Sequence, residues 1–270
     1  MLIGNKDIQN YFEDLARKGE GFNHAYLFCG SEGVGKKSLV LKIAEMVSGI
    51  SSETNPDFRI ISKGEEEIHI SDSRELKEFI HLTAFGRYKI ALIDNAHLLN
   101  RDASNALLKI LEEPPGRSII FLISHLPKML LPTVVSRCQI WKFKPIQGDE
   151  LVNYLINQKK ISKETALSIS KFARGSLGLA LELAENFDNF KKSVNLLNKL
   201  AKADLKERFE TAKKISASQE DLKKAVKDWL IYSAALPGKK LAGKVLRLTG
   251  IISRPQFNHR LALENFLINI

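Results

Sequence analysis

Cysteine is nearly missing from this chain: only Cys29 and Cys138 occur in 270 residues. They stand far apart, and neither has a second cysteine or histidine at metal-ligand spacing. A disulfide framework and a tetrahedral zinc site are both excluded as expectations. Histidine is also scarce, with six residues and no HExxH pattern, so no catalytic metal site is expected. No apolar run reaches the roughly 18 residues of a membrane span. The first 21 residues, MLIGNKDIQNYFEDLARKGEG, lack the basic-then-apolar order of a secretion signal. Internal repeats and low-complexity tracts are absent too. These gaps leave a cytoplasmic globular protein without membrane contact as the expectation.

Basic residues are in excess: 41 Lys and Arg against 31 Asp and Glu, a formal charge of +10. Such an excess suits nucleic acid, but the lysines between Lys191 and Lys227 are interspersed with acids. Solvated helix faces explain that pattern more simply than a DNA-tracking surface does.

Apolar periodicity divides the chain. Ile8, Phe12 and Leu15 share one helical face within 6–18. Short apolar runs at Ala25–Cys29, Phe58–Ser62, Lys89–Ile93, Ile119–Ile123 and Gln139–Phe143 read as buried strands. Helices are predicted from Lys36, over Ser73–Leu82, and over 102–112, where Pro114 and Pro115 stop the last. Strands alternating with helices predict a parallel α/β sheet covered on both faces. After Pro145 the pattern is helical: 149–158, 163–173, 176–186, 189–201, 204–215, 219–235, 239–250 and 255–268. The predicted domains are an α/β module at 1–144, a small helical domain at 145–187 and a second helical domain at 188–270.

Four constellations carry chemistry. Gly30-Ser31-Glu32-Gly33-Val34-Gly35-Lys36 follows a strand and opens a helix, the context of a phosphate loop. Glycines let backbone N–H groups curl inward to phosphate, and Lys36 would reach the terminal phosphates. The next position should carry a magnesium-binding hydroxyl. It holds Lys37, with Ser38 one place late and about 100° round the helix. The plain alternative is a glycine turn without a ligand. Asp94, at the end of the run Ile90–Ile93, stands where a magnesium carboxylate would, or simply caps a strand. The residue after it is Asn95, whose amide cannot act as the base that a glutamate provides there. Ser124, closing another strand, could face a phosphate or only solvent. Arg137, in Ser136-Arg137-Cys138, is on its own most simply a solvated arginine.

The residues around these sites resemble a known family. His24–Phe28, Gly30–Lys36, Ile93–Leu99, Asn105–Pro115 and Leu131–Cys138 together are similar to the delta-prime subunits of bacterial DNA polymerase III clamp loaders. The string Leu107-Leu108-Lys109-Ile110-Leu111-Glu112-Glu113-Pro114-Pro115 with Ser136-Arg137-Cys138 is the specific part. The resemblance implies an AAA+ phosphate-loop module, a small helical lid and a helical collar that joins subunits into a ring. It implies partners: ATPase subunits of tau or gamma type, a delta subunit, and the sliding clamp and primer–template DNA through the complex. It gives Arg137 the role of an arginine finger in a neighbour's ATP site, with Pro132 and Thr133 shaping its helix. Hydrolysing relatives carry Ser or Thr at Lys37, Glu at Asn95, and an arginine near Leu179. Those three departures favour a non-hydrolysing subunit over an ATP-hydrolysing tau or gamma type. The resemblance leaves ATP or ADP binding without hydrolysis open and requires no cofactor. The four-cysteine insertion of many relatives is missing between residues 48 and 60, so no structural zinc is expected.

Overall fold

The computed structural model describes residues 2–270. Five strands, β1 (Ala25–Cys29), β2 (Phe58–Ile61), β3 (Lys89–Ile93), β4 (Ser118–Ser124) and β5 (Gln139–Lys142), form one sheet in the order β2-β3-β4-β1-β5. Every pairing is parallel, with Leu27 opposite Leu122 and Ile140, and Ala91 opposite Ile120 and Arg59. The predicted parallel α/β module followed by helices is what the chain forms.

Parallel strands need covered faces, and the period-two alternation of side chains supplies two cores. Tyr26, Phe28, Ile90, Leu92, Ile119 and Phe121 face α1 (Lys6–Lys18) and α2 (Lys36–Ser48), meeting Ile8, Phe12, Leu39 and Ile43. Ala25, Leu27, Ala91, Ile93, Ile120 and Leu122 face α3 (Ile70–His81), α4 (Arg101–Glu112) and α5 (Pro132–Val135) through Leu76, Leu107, Ile110 and Val134. The first core is aromatic. The Phe12 ring lies 5.0–5.3 Å from those of Tyr26, Phe28 and Trp141, edge to face, the arrangement the ring quadrupoles favour. The Tyr26 hydroxyl keeps a partner by accepting from the Asn23 N–H at 2.7 Å. Its burial pushes its pKa up to about 12.

The helical part comprises α6 (Gly148–Lys159), α7 (Lys163–Ala173), α8 (Leu177–Leu200), α9 (Leu205–Ile215), α10 (Gln219–Ala235), α11 (Lys240–Ile252) and α12 (His259–Ile268). Two compact units result: residues up to Glu150 with Ser176–Gly178, and Leu151–Gly175 with Leu179–Ile270. In the second, Trp229 of α10 is fully buried, stacks on Phe266 of α12 and donates its indole N–H to the Ser193 carbonyl at 3.0 Å. No helix among the described residues is long and apolar enough to cross a membrane.

Most boundaries agree with the sequence reading to within two residues; three larger departures each have a local reason. Helix α3 begins at Ile70, not Ser73, because Asp72 accepts the His69 N–H at 2.9 Å and closes an earlier first turn. The helices predicted at 176–186 and 189–201 run together as α8. Their break is one residue, Asn186, at φ −130° and ψ 26°. Helix α12 begins at His259 rather than 255, because the Asn258 side chain accepts the Leu261 N–H at 3.0 Å and fixes the cap there.

Candidate functional site

The strand order places three strand ends side by side. Beyond β1 lies the glycine loop, beyond β3 Asp94, and at the end of β4 Ser124. In an open parallel sheet this carboxyl edge, where the strand order reverses, is where ligands bind.

The loop curls as its glycines require. Gly30, Gly33 and Gly35 have φ of 140°, 70° and 94°, a region that L side chains rarely adopt. A Cβ on Gly30 would clash with the Phe143 carbonyl, and one on Gly33 with Ser176. Gly33 is further pinned from outside the loop, its carbonyl accepting the Gly178 N–H at 3.0 Å. Ser31, Glu32, Lys37 and Ser38 face solvent, whereas Val34 anchors the loop in the aromatic core. Lys36, buried at the start of α2, turns its ammonium into the loop and donates to the Gly30 and Ser31 carbonyls at 2.6 and 2.5 Å. Burial lowers its pKa, opposed by the nearby carboxylates of Glu32 and Asp94.

Asp94 is fully engaged. Its Oδ1 accepts the Asn95 N–H at 3.1 Å, and its Oδ2 lies 3.1 Å from the Lys37 ammonium and 3.5 Å from the Ser62 hydroxyl. Asn95 adopts φ 54° and donates its side-chain amide to the Gly64 carbonyl at 3.0 Å. The Asn95 side chain is therefore spent on tying down a loop.

Two histidines that sequence reasoning passed over complete the group. The ring of His97 lies 4.2 Å from that of His125, and its Nδ1 is 3.4 Å from the Ser124 hydroxyl. His125 Nδ1 is 3.1 Å from Glu32 of the loop. Ser124, fully buried, accepts the Leu126 N–H at 3.0 Å and so shapes the turn after β4. Burial, then His125, lowers the His97 pKa. The signal for this cluster was available: both histidines follow a predicted buried strand by a few residues.

Arg137 lies elsewhere in the first unit. The α5 turn, begun by Pro132, ends with the Ser136 N–H on the Pro132 carbonyl at 2.9 Å. The guanidinium donates to the Thr133 carbonyl at 3.0 Å and pairs with Glu112 at 2.5 Å. Its partners thus come from α5 and from the end of α4, not from the loop. Cys138 beside it and Cys29 are free thiols. Burial, then its neighbour Cys29, pushes Cys138 up to about 12, and burial raises Cys29 too. Neutral thiols are poor metal ligands and poor nucleophiles.

Known proteins share this architecture. The family described as DNA polymerase III, delta subunit, matches residues 4–147, just over half of the chain. A DNA polymerase III subunit tau of Salmonella typhimurium is 33% identical, over 60% of this chain and 29% of its own length. A DNA polymerase III subunit delta' of Pseudomonas aeruginosa is 38% identical, over 43% of this chain and 41% of its own. The chain therefore spans less than half the length of either. The crystal structure of a DNA polymerase III gamma-subunit-related protein of Thermotoga maritima superposes with a TM-score of 0.63. It covers 96% of this chain and 97% of that one at 21% identity, a likeness of fold. From the strand order, the glycine loop and these matches together, the chain belongs to the DNA polymerase III, delta subunit family, as a clamp-loader AAA+ protein related to tau, gamma and delta' subunits.

Proposed function

We propose that the chain acts as a non-hydrolysing, delta-prime-type subunit of a DNA polymerase III clamp loader. In this reading it helps place the sliding clamp on primed DNA in the cytoplasm. Its neighbours are tau- or gamma-type ATPase subunits and a delta subunit. Residues 145–187 form the lid and 188–270 the collar that holds the ring. Arg137 serves in trans, in the ATP site of a neighbouring ATPase subunit.

One observation carries the reading: Asn95, at the position where the resemblance puts glutamate in hydrolysing relatives, has its side-chain amide donating to the Gly64 carbonyl. Phosphoryl transfer depends on positioning and charge, and an amide offers no base. The chain's own loop then has no use for an arginine finger, whereas Arg137 follows a proline-started turn with its side chain about a third exposed. A rival reading, an ATP-hydrolysing tau or gamma type, draws on the 33% identity to a tau subunit. Steady-state hydrolysis by the purified chain separates them. We expect no turnover above that of Lys36→Ala, and turnover that vanishes in Lys36→Ala would establish the rival.

A further inference from the structure

Phosphate-loop enzymes hold magnesium between a hydroxyl on the residue after the loop lysine and a carboxylate at the end of a neighbouring strand. The residues of this chain do not fit that ion. Lys37 replaces the hydroxyl, and its ammonium lies 3.1 Å from Asp94 Oδ2, on the carboxylate a metal would need. The other oxygen, Oδ1, is already accepting the Asn95 N–H. Magnesium demands near-ideal octahedral geometry and oxygen ligands. Here it would have to break an ion pair and then sit beside the displaced ammonium.

We infer that Lys37 is a built-in substitute for the divalent cation, so that this loop neither takes up nor requires magnesium. One positive charge is enough to pair with the single negative charge of the Asp94 carboxylate. A hydroxyl and a divalent ion bring two positive charges to Asp94; Lys37 brings one, permanently attached and correctly placed. The ammonium of Lys36 is common to both arrangements and is held here by two loop carbonyls rather than by a carboxylate. A nucleoside diphosphate entering the loop meets two fixed ammonium groups in place of one ammonium and one metal. Lys37 is solvent-facing on the first turn of α2, so its replacement removes no core contact. Asp94 is held as well by Asn95 and Ser62, which keeps its carboxylate aimed at the same place when the lysine is gone.

The inference deepens the non-hydrolysing reading, and its test is separate: turnover decides that reading, cation uptake decides this one. The probe is Mn2+, titrated into the full chain with and without ADP and followed by electron paramagnetic resonance. The unaltered protein is expected to leave the free Mn2+ signal unchanged. Lys37→Thr is expected to gain one Mn2+ site in the presence of ADP, tighter by roughly tenfold or more, the scale on which partners of metal ligands act. Adding Asp94→Asn to that variant should remove the site. Lys37→Ser repeats the measurement with a smaller side chain, and circular dichroism checks that each variant is folded. Stoichiometric Mn2+ on the unaltered protein that is lost in Asp94→Asn overturns the inference. So does a pair of folded Lys37 variants that gain no site.

Discussion

The guanidinium of Arg137 pairs with Glu112, but both side chains are open to water, about a third and a half exposed. An ion pair in that setting is worth about 0–1 kcal/mol. It holds the arginine loosely in the isolated chain, and under the proposed role it would yield to a phosphate with more charge. A guanidinium is always charged and presents a rigid donor fork that suits the spread charge of a transferring phosphoryl group. Arginine fingers supplied in trans to GTPases are worth about 10³–10⁵ in rate; one ATP site among several in a ring will show less. Arg137→Ala is therefore expected to lower clamp- and DNA-stimulated ATP hydrolysis by the reconstituted loader while leaving assembly intact. Arg137→Lys should restore little, since a point charge does not reproduce the fork. Steady-state hydrolysis beside a co-elution check decides, and an intact complex with unchanged turnover returns Arg137 to an ordinary surface role. The motif around Arg137 was legible in sequence. Its partner Glu112 was not, because 25 positions separate them and only the packing of α4 against α5 brings them together.

At the scale of elements, the starts of β2 and β3 are fastened by a buried ion pair. Asp57 and Lys89, each 3% exposed, meet at 2.9 Å. Asp57 also accepts the Phe85 and Gly86 N–H groups, at 3.1 and 2.6 Å, and so orders the turn that leads into β3. The Lys89 ammonium lies 4.7 Å from the centre of the Phe79 ring and donates to the Pro56 carbonyl. Burial alone would raise the Asp57 pKa, but the hydrogen bonds from Gly86, Lys89 and Phe85 outweigh it, and the carboxyl stays below its ordinary 3.8. A depressed carboxyl pKa contributes stability that is complete above the unfolded value and is lost as pH falls through the folded one. Asp57→Ala is expected to cost about 3–5 kcal/mol, because it strands a buried ammonium. Urea unfolding at neutral pH measures that cost. The same titration repeated downward from pH 5 should show a shallower acid decline in the variant than in the unaltered chain. A cost under about 1 kcal/mol would mean that the pair behaves as a surface bridge. Sequence reading placed β2 and β3 correctly from their apolar runs. It did not pair Asp57, just before β2, with Lys89, at the start of β3, because pairing across 32 residues leaves no periodic trace.

For the whole molecule, the helical unit shows which apolar stripes fold inward and which do not. Leu222, Val226 and Trp229 of α10 are buried, but on α9 only Ala212 is; Leu205 is 54% and Phe209 36% exposed. These two lie four residues apart and so share one helical face. Under the proposed collar role that face meets a neighbouring subunit. The double variant Leu205→Glu, Phe209→Glu is expected to melt within a few degrees of the parent, since surface changes usually cost no more than about 0.5 kcal/mol. It should no longer co-elute with tau- or gamma-type and delta subunits on size exclusion. Undiminished co-elution would free the face of that duty. The amino-acid sequence by itself determined the alternation of strands and helices, the glycine loop and the departures at Lys37 and Asn95. Each of these is written in residue type and in spacings of two to seven, which is the range over which chain geometry acts. Tertiary structure alone decided that Lys37 closes on Asp94, that Asn95 is spent on Gly64, and that His97 and His125 gather at Ser124 and Glu32. Those contacts join the ends of β1, β2, β3 and β4, strands that become neighbours only when the sheet orders them β2-β3-β4-β1. A local pattern carries no record of that order.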